Sequence, residues 1–314
     1  MRRLAVIHHL ADQWVPALQA AEPRLEVRGW HPRRADDAEI AWLAEAEALF
    51  TWRFPPGFLA RMPRLRWIQN SGAGVDHLVD HPEIPESVSI TRADGNFGAW
   101  MARYVCAHLL ADAQRLGGCA EAQAEARWNP KLQPEDLGGA LALVVGFGRI
   151  GRRIGEALRA LGLTVRGFVR TPRGDPHVPL ECLAELHRWL PEARLLVLCA
   201  PLTPETCGLV DARLLAGGHD RLMLVNVGRG AQVVVPDLLA ALDAGRLGRA
   251  VLDVFEEEPL PPDSPLWRHP RVTVTPHHSG PSTPKDLIPD ILENLRAYAE
   301  GRPITGAVDR QRGY

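Results

Sequence analysis

The sequence predicts an α/β protein of two doubly wound parallel-sheet domains, the second inserted into the first. Three observations carry this reading. Short β-like runs alternate with amphipathic stretches, the pattern of a parallel sheet with crossover helices. The alternation comes in two series, over residues 1–92 and from Gly139 onward, with a long helical pattern between them. At 314 residues, 46% apolar and 24% charged, the chain is long enough for two cores of ordinary size.

The first series opens with RLAVIHH (3–9). Its basic start and apolar run hint at a leader peptide, but His8 and His9 interrupt the run, so a first strand is the better reading. A helix is expected over LADQWVPALQAAE (10–22), and strands over RLEVRGW (24–30), EALF (47–50), LRWIQ (65–69) and SVSIT (87–91). GAWMARYVCAHLLADAQRL (98–116) predicts a long helix closed by Gly117 and Gly118. After a loop carrying Trp128 and Pro130, the second series runs through ALALVVGF, a helix from Arg149, then TVRGFV, ARLLVLCA, RLMLVNV, RAVLDV and RVTVTP. PSTPKDLIPDILENLRAYAEGRP (281–303) predicts a returning helix, with Pro284 near its start and Gly301 past its end. The boundaries that follow are 1–97 with 281–314 for one domain and 98–280 for the other.

Bulk properties narrow the function classes. A formal net charge of −2 gives no general attraction to nucleic acid or to an anionic membrane. No apolar run approaches the roughly 18 residues of a membrane span, and a cytoplasmic protein is expected. The five cysteines show no CxxC spacing and mostly fall in apolar segments, so reduced, buried thiols are expected and no metal site. Lys131 and Lys285 are the only lysines, and neither has the apolar context of a Schiff-base lysine.

ALALVVGFGRIG (140–151) places Gly146, Gly148 and Gly151 between an apolar strand and the helical RIGRRIGEALRALG. That context suits a dinucleotide turn. Gly146 permits the tight bend, Gly148 the approach of a pyrophosphate and Gly151 close helix–strand packing, and the helix start at Arg149 and Ile150 faces the anion. The inserted domain therefore reads as a Rossmann-type cofactor domain and the other as a flavodoxin-like substrate domain. Arg170 follows 19 residues after Gly151 (170 − 151), where an acid would accept bonds from the adenosine ribose. Arg170, Thr171 and Arg173 instead offer donors and positive charge to a 2′-phosphate, which favours NADP(H) over NAD(H). A solvated basic loop is the alternative.

Three later segments end strands with reactive side chains. LVNVGRGAQ presents Arg229, AVLDVFEEEPL presents Asp253 and Glu256 to Glu258, and VTVTPHHSG presents His277 and His278. In a parallel sheet all three lie beyond strand C-termini, where ligands gather. A guanidinium that never loses its charge suits a substrate carboxylate, and an imidazole suits proton transfer near neutral pH.

NVGRG, DVFEEEPLP with SPLW, TPHHSG, GFGRIG and APLTPET (200–206) resemble the D-isomer-specific 2-hydroxyacid dehydrogenase family. WRFPP (52–56), GAGVD (72–76), RWNP (127–130) and VDRQRGY (308–314) are most similar to its glyoxylate/hydroxypyruvate reductase A type, and the resemblance spans the chain. It implies that Arg229 holds the substrate carboxylate and polarises the keto oxygen, and that His277 donates the proton, with His278 as the alternative. Glu258 would orient His277 and favour its charged form. Pro201, Thr206, Val227 and Asp253 would join the cofactor site, Asp253 near the nicotinamide amide. Glu256 and Glu257 read as solvated charges.

In the first domain the Gly72-Ala73-Gly74 turn could bind the far side of a carboxylate through its N–H groups, or hold glycines for geometry alone. Trp52 could wall the pocket or fill the core. The resemblance also implies a homodimer through the helix at 98–116, where Arg103 replaces an acid that many relatives carry. The activity it implies is NADPH-dependent reduction of a small 2-keto acid, glyoxylate or hydroxypyruvate, in a cleft that closes to exclude water. The alternatives are an NAD-dependent dehydrogenase of another 2-hydroxy acid and a nucleotide-sensing corepressor-like scaffold.

Overall fold

The computed structural model describes residues 3–310, so Gln311 to Tyr314 of the VDRQRGY motif and the first two residues of the opening domain lie outside the described residues. The chain divides into two compact units, Met1–Phe97 with Ser282–Tyr314, and Gly98–Pro281.

The first unit begins with β1 (Arg3–Ile7), α1 (Ala11–Ala21), β2 (Glu26–Trp30), α2 (Ile40–Leu43), β3 (Ala48–Thr51), β4 (Trp67–Asn70), α3 (Asp76–Val79) and β5 (Ser89–Thr91). The second carries α4 (Phe97–Ala113), α5 (Leu116–Ala124), β6 (Leu141–Val145), α6 (Arg149–Ala160), β7 (Thr164–Val169), β8 (Leu180–Cys182), α7 (Leu186–Trp189), β9 (Ala193–Leu198), α8 (Ala212–Leu215), β10 (Met223–Asn226), α9 (Val235–Asp243), β11 (Arg249–Leu252) and β12 (Val272–Val274). The chain then returns to the first unit as α10 (Pro284–Ala299).

Among the described residues the first unit is a parallel sheet ordered β2-β1-β3-β4-β5, the flavodoxin-like order. β3 and β4 are buried along their whole length, and β4 buries Gln69 and Asn70 together with Trp67 and Ile68. α1 turns Ala11, Trp14 and Leu18 inward at helical spacing, and Trp14 packs against Phe50 with ring centroids 4.6 Å apart. Burying side chains of this size contributes about 1.5–3 kcal/mol each. α10 starts at a Thr283 cap with Pro284 in its first turn, and buries Leu287, Ile291, Leu292 and Leu295.

The second unit is a seven-stranded parallel sheet ordered β12-β11-β10-β9-β6-β7-β8. Strand order reverses between β6 and β9, so the loops leaving their C-terminal ends flank a crevice. α6 turns Gly151, Ile154, Gly155 and Leu158 inward and leaves Arg152, Arg153 and Arg159 outside.

Two expectations are corrected. Gly117 and Gly118 do not close the long helix. The break falls at Arg115, in the left-handed region at φ 55, and both glycines lie inside α5. A Cβ at Gly118 would come 3.0 Å from Leu132, so tertiary packing outweighs a helix propensity cost of about 1 kcal/mol. The cysteines are free but not uniformly buried. Cys119, Cys182 and Cys207 are exposed, the last two on an edge strand and a loop, while Cys106 and Cys199 are half-buried. The edge strand β8 and the helices α8 and α9 add to the elements read from sequence.

Candidate active site

The glycine turn sits at the reversal point of the second sheet. A Cβ on Gly146 would lie 2.5 Å from the Ala200 backbone, and one on Gly151 would lie 2.0 Å from the Gly146 carbonyl oxygen. Gly146 also adopts φ 91, which only glycine takes readily. Gly148 differs, because a Cβ there meets nothing within 4 Å. Two glycines therefore serve packing and one faces open space. The first N–H groups of α6 rise beside it, and such groups lack partners within a helix. A cradle of this shape fits a dinucleotide pyrophosphate. The Cys199 thiol donates to Val145 O and Gly146 O at 3.3 and 3.1 Å, and burial pushes it up to about 12, so it is a fixed donor rather than a nucleophile.

The opposite wall is the loop after β9. Thr206 Oγ1 donates to Pro201 O at 2.8 Å and accepts from Thr203 N at 2.8 Å, which folds APLTPET into a compact turn. Val227 N donates to Leu198 O at 3.0 Å and its side chain is buried. Beyond β7, Arg170, Thr171 and Arg173 are exposed on one loop.

Arg229 follows β10 in a turn built by two buried amides. Asn226 accepts from Gly228 N at 3.0 Å and donates to Arg229 O at 2.9 Å. Gln232 accepts from Arg229 N at 3.2 Å and donates to Ala200 O at 3.2 Å. The Arg229 turn is thus tied directly to the cofactor-side loop. A Cβ on Gly230 would fall 1.9 Å from Phe255, so this glycine lets the Phe255–Glu258 loop cross close above the turn.

Glu258 accepts from Phe255 N at 2.9 Å and faces His277, with Oε2 2.9 Å from Nδ1. Burial alone would raise its carboxyl. The His277 bond, the Phe255 N–H and the charges of His277 and Arg229 outweigh burial and hold it below the usual carboxylate range. His277 occupies the left-handed region at φ 52. Such a conformation costs a non-glycine residue about 1–3 kcal/mol and persists only where its surroundings fix it. Here its N–H donates to Asp253 O at 2.9 Å and to Thr275 O at 3.1 Å.

Asp253 is fully buried beneath this turn. Its carboxylate accepts from Thr275 Oγ1 at 2.6 Å, His278 N at 3.0 Å and Ser279 N at 2.9 Å. Tyr104 Oη lies 2.7 Å from Thr275 Oγ1 and extends the network onto α4. Burial first, then the nearby Asp253 charge, raises the Tyr104 phenol despite its Thr275 bond. Glu256 and Glu257 are exposed. His278 is also exposed and lies edge-on to Tyr104, with ring centroids 5.9 Å apart.

In the first unit, Asn70 Nδ2 donates to Gly72 O at 2.9 Å and Gly74 O at 2.7 Å, fixing the Gly72-Ala73-Gly74 turn after β4. Trp52 lies over it. A Cβ at Gly72 would come 2.3 Å from the indole, so only glycine admits this contact. His77 also packs on the indole, with ring centroids 4.2 Å apart, and its Nε2 lies 2.5 Å from Trp52 O.

The structure therefore brings Glu258 to His277, sets the Arg229 turn beneath their loop, and packs Trp52 on Gly72. Sequence reasoning missed Asn226, Gln232, Thr275 and Tyr104. For Asn226 and Thr275 a polar residue at the end of an apolar strand was the available signal, since a buried polar group there must find partners, whereas Gln232 in its turn and Tyr104 inside α4 carried none.

The model for the D-isomer specific 2-hydroxyacid dehydrogenase NAD binding domain matches residues 106–279. The chain is 35% identical over 312 residues to glyoxylate/hydroxypyruvate reductase A of Salmonella newport (strain SL254), covering 97% of this chain and 96% of that one. A D-isomer specific 2-hydroxyacid dehydrogenase from Xanthobacter autotrophicus Py2, solved with NADPH and MES, superposes with TM-score 0.90 at 36% identity, covering 100% of this chain and 99% of that one. An NADPH-dependent glyoxylate/hydroxypyruvate reductase from Sinorhizobium meliloti, solved with NADP and sulfate, gives TM-score 0.89 at 29% identity, with 100% of both chains covered. With its glycine cradle at the sheet reversal and its Arg, Glu and His on adjacent strand ends, this chain belongs to the D-isomer-specific 2-hydroxyacid dehydrogenase family.

Proposed function

We propose that the protein reduces small 2-keto acids, glyoxylate and hydroxypyruvate first, with NADPH as the electron donor. The observation that carries the reading is the Glu258–His277 pair at 2.9 Å, on the strand ends next to Arg229 and on the same sheet edge as the glycine cradle. Salmonella and Sinorhizobium relatives bearing the glyoxylate/hydroxypyruvate reductase name support the substrate class.

In this reading the second unit binds the cofactor and the first binds substrate. Gly146, Gly148, Gly151 and the α6 start at Arg149 and Ile150 would hold the pyrophosphate. Pro201, Thr206, Val227 and Asp253 would line the nicotinamide side, with Arg170, Thr171 and Arg173 at the 2′-phosphate. The bound cofactor supplies the hydride. Arg229 holds the substrate carboxylate and draws charge toward the keto oxygen. As that oxygen becomes an alkoxide, His277 gives it the ring proton, while the Glu258 carboxylate balances the charge on the ring and fixes its orientation. Glu258 in turn keeps its place through the Phe255 N–H. The Gly72-Ala73-Gly74 N–H groups would take the far side of the carboxylate, and the half-buried Trp52 would limit the size of the group beyond it.

The same reading includes a cytoplasmic homodimer built on α4 and α5, which expose Trp100, Leu110 and Leu116. Sedimentation equilibrium checks it. For the chemistry, NADPH and NADH oxidation should be measured side by side with glyoxylate as acceptor. Faster turnover with NADPH supports the whole assignment. Equal rates remove the 2′-phosphate role of Arg170, and no rate with glyoxylate, hydroxypyruvate or other short 2-keto acids removes the reductase reading.

A further inference from the structure

Asp175 stands 24 residues after Gly151 (175 − 151), near the distance at which dinucleotide folds keep an acid for the ribose hydroxyls. Its carboxylate is turned inward instead. The side chain is only 3% exposed, although Gly174 and Pro176 on either side are open to solvent. Oδ1 accepts from His177 N at 3.0 Å and Val178 N at 3.1 Å, and Oδ2 pairs with Arg152 Nη1 from the second turn of α6. Val178, three residues after Asp175, is buried in one core with Phe147 and Val165. The His177 N–H foremost, with the Arg152 charge and the Val178 N–H, holds the Asp175 carboxyl below the usual carboxylate range. The loop that begins with Arg170 is therefore closed at its far end by an ion pair to the helix and an apolar anchor. Arg152 also balances an acid that would otherwise repel a phosphate on that loop.

We propose that Asp175, latched to Arg152, is the positioning residue that fixes the Arg170–Arg173 loop for a 2′-phosphate and so sets the preference for NADPH over NADH without touching the cofactor. The proposal rests on the NADPH reading above. Its physical basis is preorganisation: a guanidinium on a fixed backbone binds without first ordering the loop. A loop with a free end loses that advantage for the phosphate but loses nothing for a cofactor that lacks one.

The test is KM for NADPH and for NADH in the wild type, Asp175→Ala and Asp175→Asn, with saturating glyoxylate and a thermal melt of each protein. The alanine variant should raise KM for NADPH about tenfold while KM for NADH and both kcat values stay within twofold. The asparagine variant keeps the size and one acceptor oxygen, so it should fall between, and it carries the test should the alanine variant fail to fold. A KM for NADH that rises as much as that for NADPH overturns the proposal, because Asp175 would then serve the ribose or the fold in general. A KM for NADPH that stays level or falls also overturns it, showing an acid that only repels. A wild type without NADPH preference overturns the underlying NADPH reading as well, and that is seen before any variant is made.

Discussion

Gly148→Ala should make the protein no less stable and yet poor at binding its cofactor. Gly148 lies at φ −82 and ψ −155, a conformation open to alanine, and the new methyl group would meet nothing within 4 Å. Such a replacement stabilises by about 0.4–1 kcal/mol through the unfolded chain. For a chain of this size that is roughly 0.6–1.5 °C of melting temperature. The same methyl group would stand where the pyrophosphate must approach the α6 N-terminus. Pushing the phosphate back by about the length of a C–C bond forfeits at least one charge-assisted bond of about 1.5–3 kcal/mol, a loss of roughly ten- to a hundredfold in affinity. Gly151→Ala supplies the contrast. Its Cβ would lie 2.0 Å from Gly146 O, so the helix must move, at an overpacking cost of about 1–3 kcal/mol. NADPH fluorescence titration and thermal melts of both variants separate the two effects. A Gly148→Ala protein that binds NADPH within threefold of wild type would refute the assignment of this face to the pyrophosphate.

Other expectations follow from the same geometry. His277→Asn should lower kcat by about 10²–10⁴ while NADPH affinity in the fluorescence titration stays within twofold; an unchanged rate at saturation removes His277 from the proton transfer. Because the Glu258 carboxyl is depressed, its pairing with His277 contributes fully above the unfolded value of about 4.3 and is lost as pH falls through the lower folded value. The difference in unfolding free energy between wild type and Glu258→Gln should therefore be present at about pH 5 and close as the pH drops below about 4; an undiminished gap down to about pH 3 would mean the carboxylate form is not what His277 pairs with. Arg194, 6% exposed, joins Glu135 at 3.0 Å and Asp112 at 2.5 Å. Arg194→Ala should cost about 3 kcal/mol, the low end for a broken buried pair, because Arg221 and Arg249 still reach these acids. Urea unfolding measures it, and a loss under about 1 kcal/mol would show that the two remaining arginines suffice.

Much of this protein is written locally. A parallel strand buried along its length must be largely apolar, so ALALVVGF and ARLLVLCA stood out, and β6 and β9 occupy them. The glycine turn was legible because a tight strand-to-helix bend leaves no room for side chains, and the Cβ contacts at Gly146 and Gly151 bear out that reason. Arg229 and His277 were legible as polar residues just past apolar runs, where a parallel sheet gathers its chemistry, while only the family resemblance singled out Glu258 from Glu256 and Glu257. The end of α4 was not, because Arg115 takes a left-handed conformation that residue type alone disfavours, while Gly118 stays helical to admit Leu132. Nor could spacing reveal that Gln232 ties the Arg229 turn to Ala200, 32 positions earlier in the chain. Asp175 shows the difference most clearly. Its position and residue type suggest a ribose ligand, and only the folded chain turns it inward to Arg152. The sequence by itself determined which segments become strands, which turn is closed to side chains and which side chains end up at strand termini, because each depends on the residues' own size, polarity and backbone freedom. Which way those side chains point, and which partners hold them there, only the tertiary structure decided, because the partners come from distant strands that meet only when the sheet assembles.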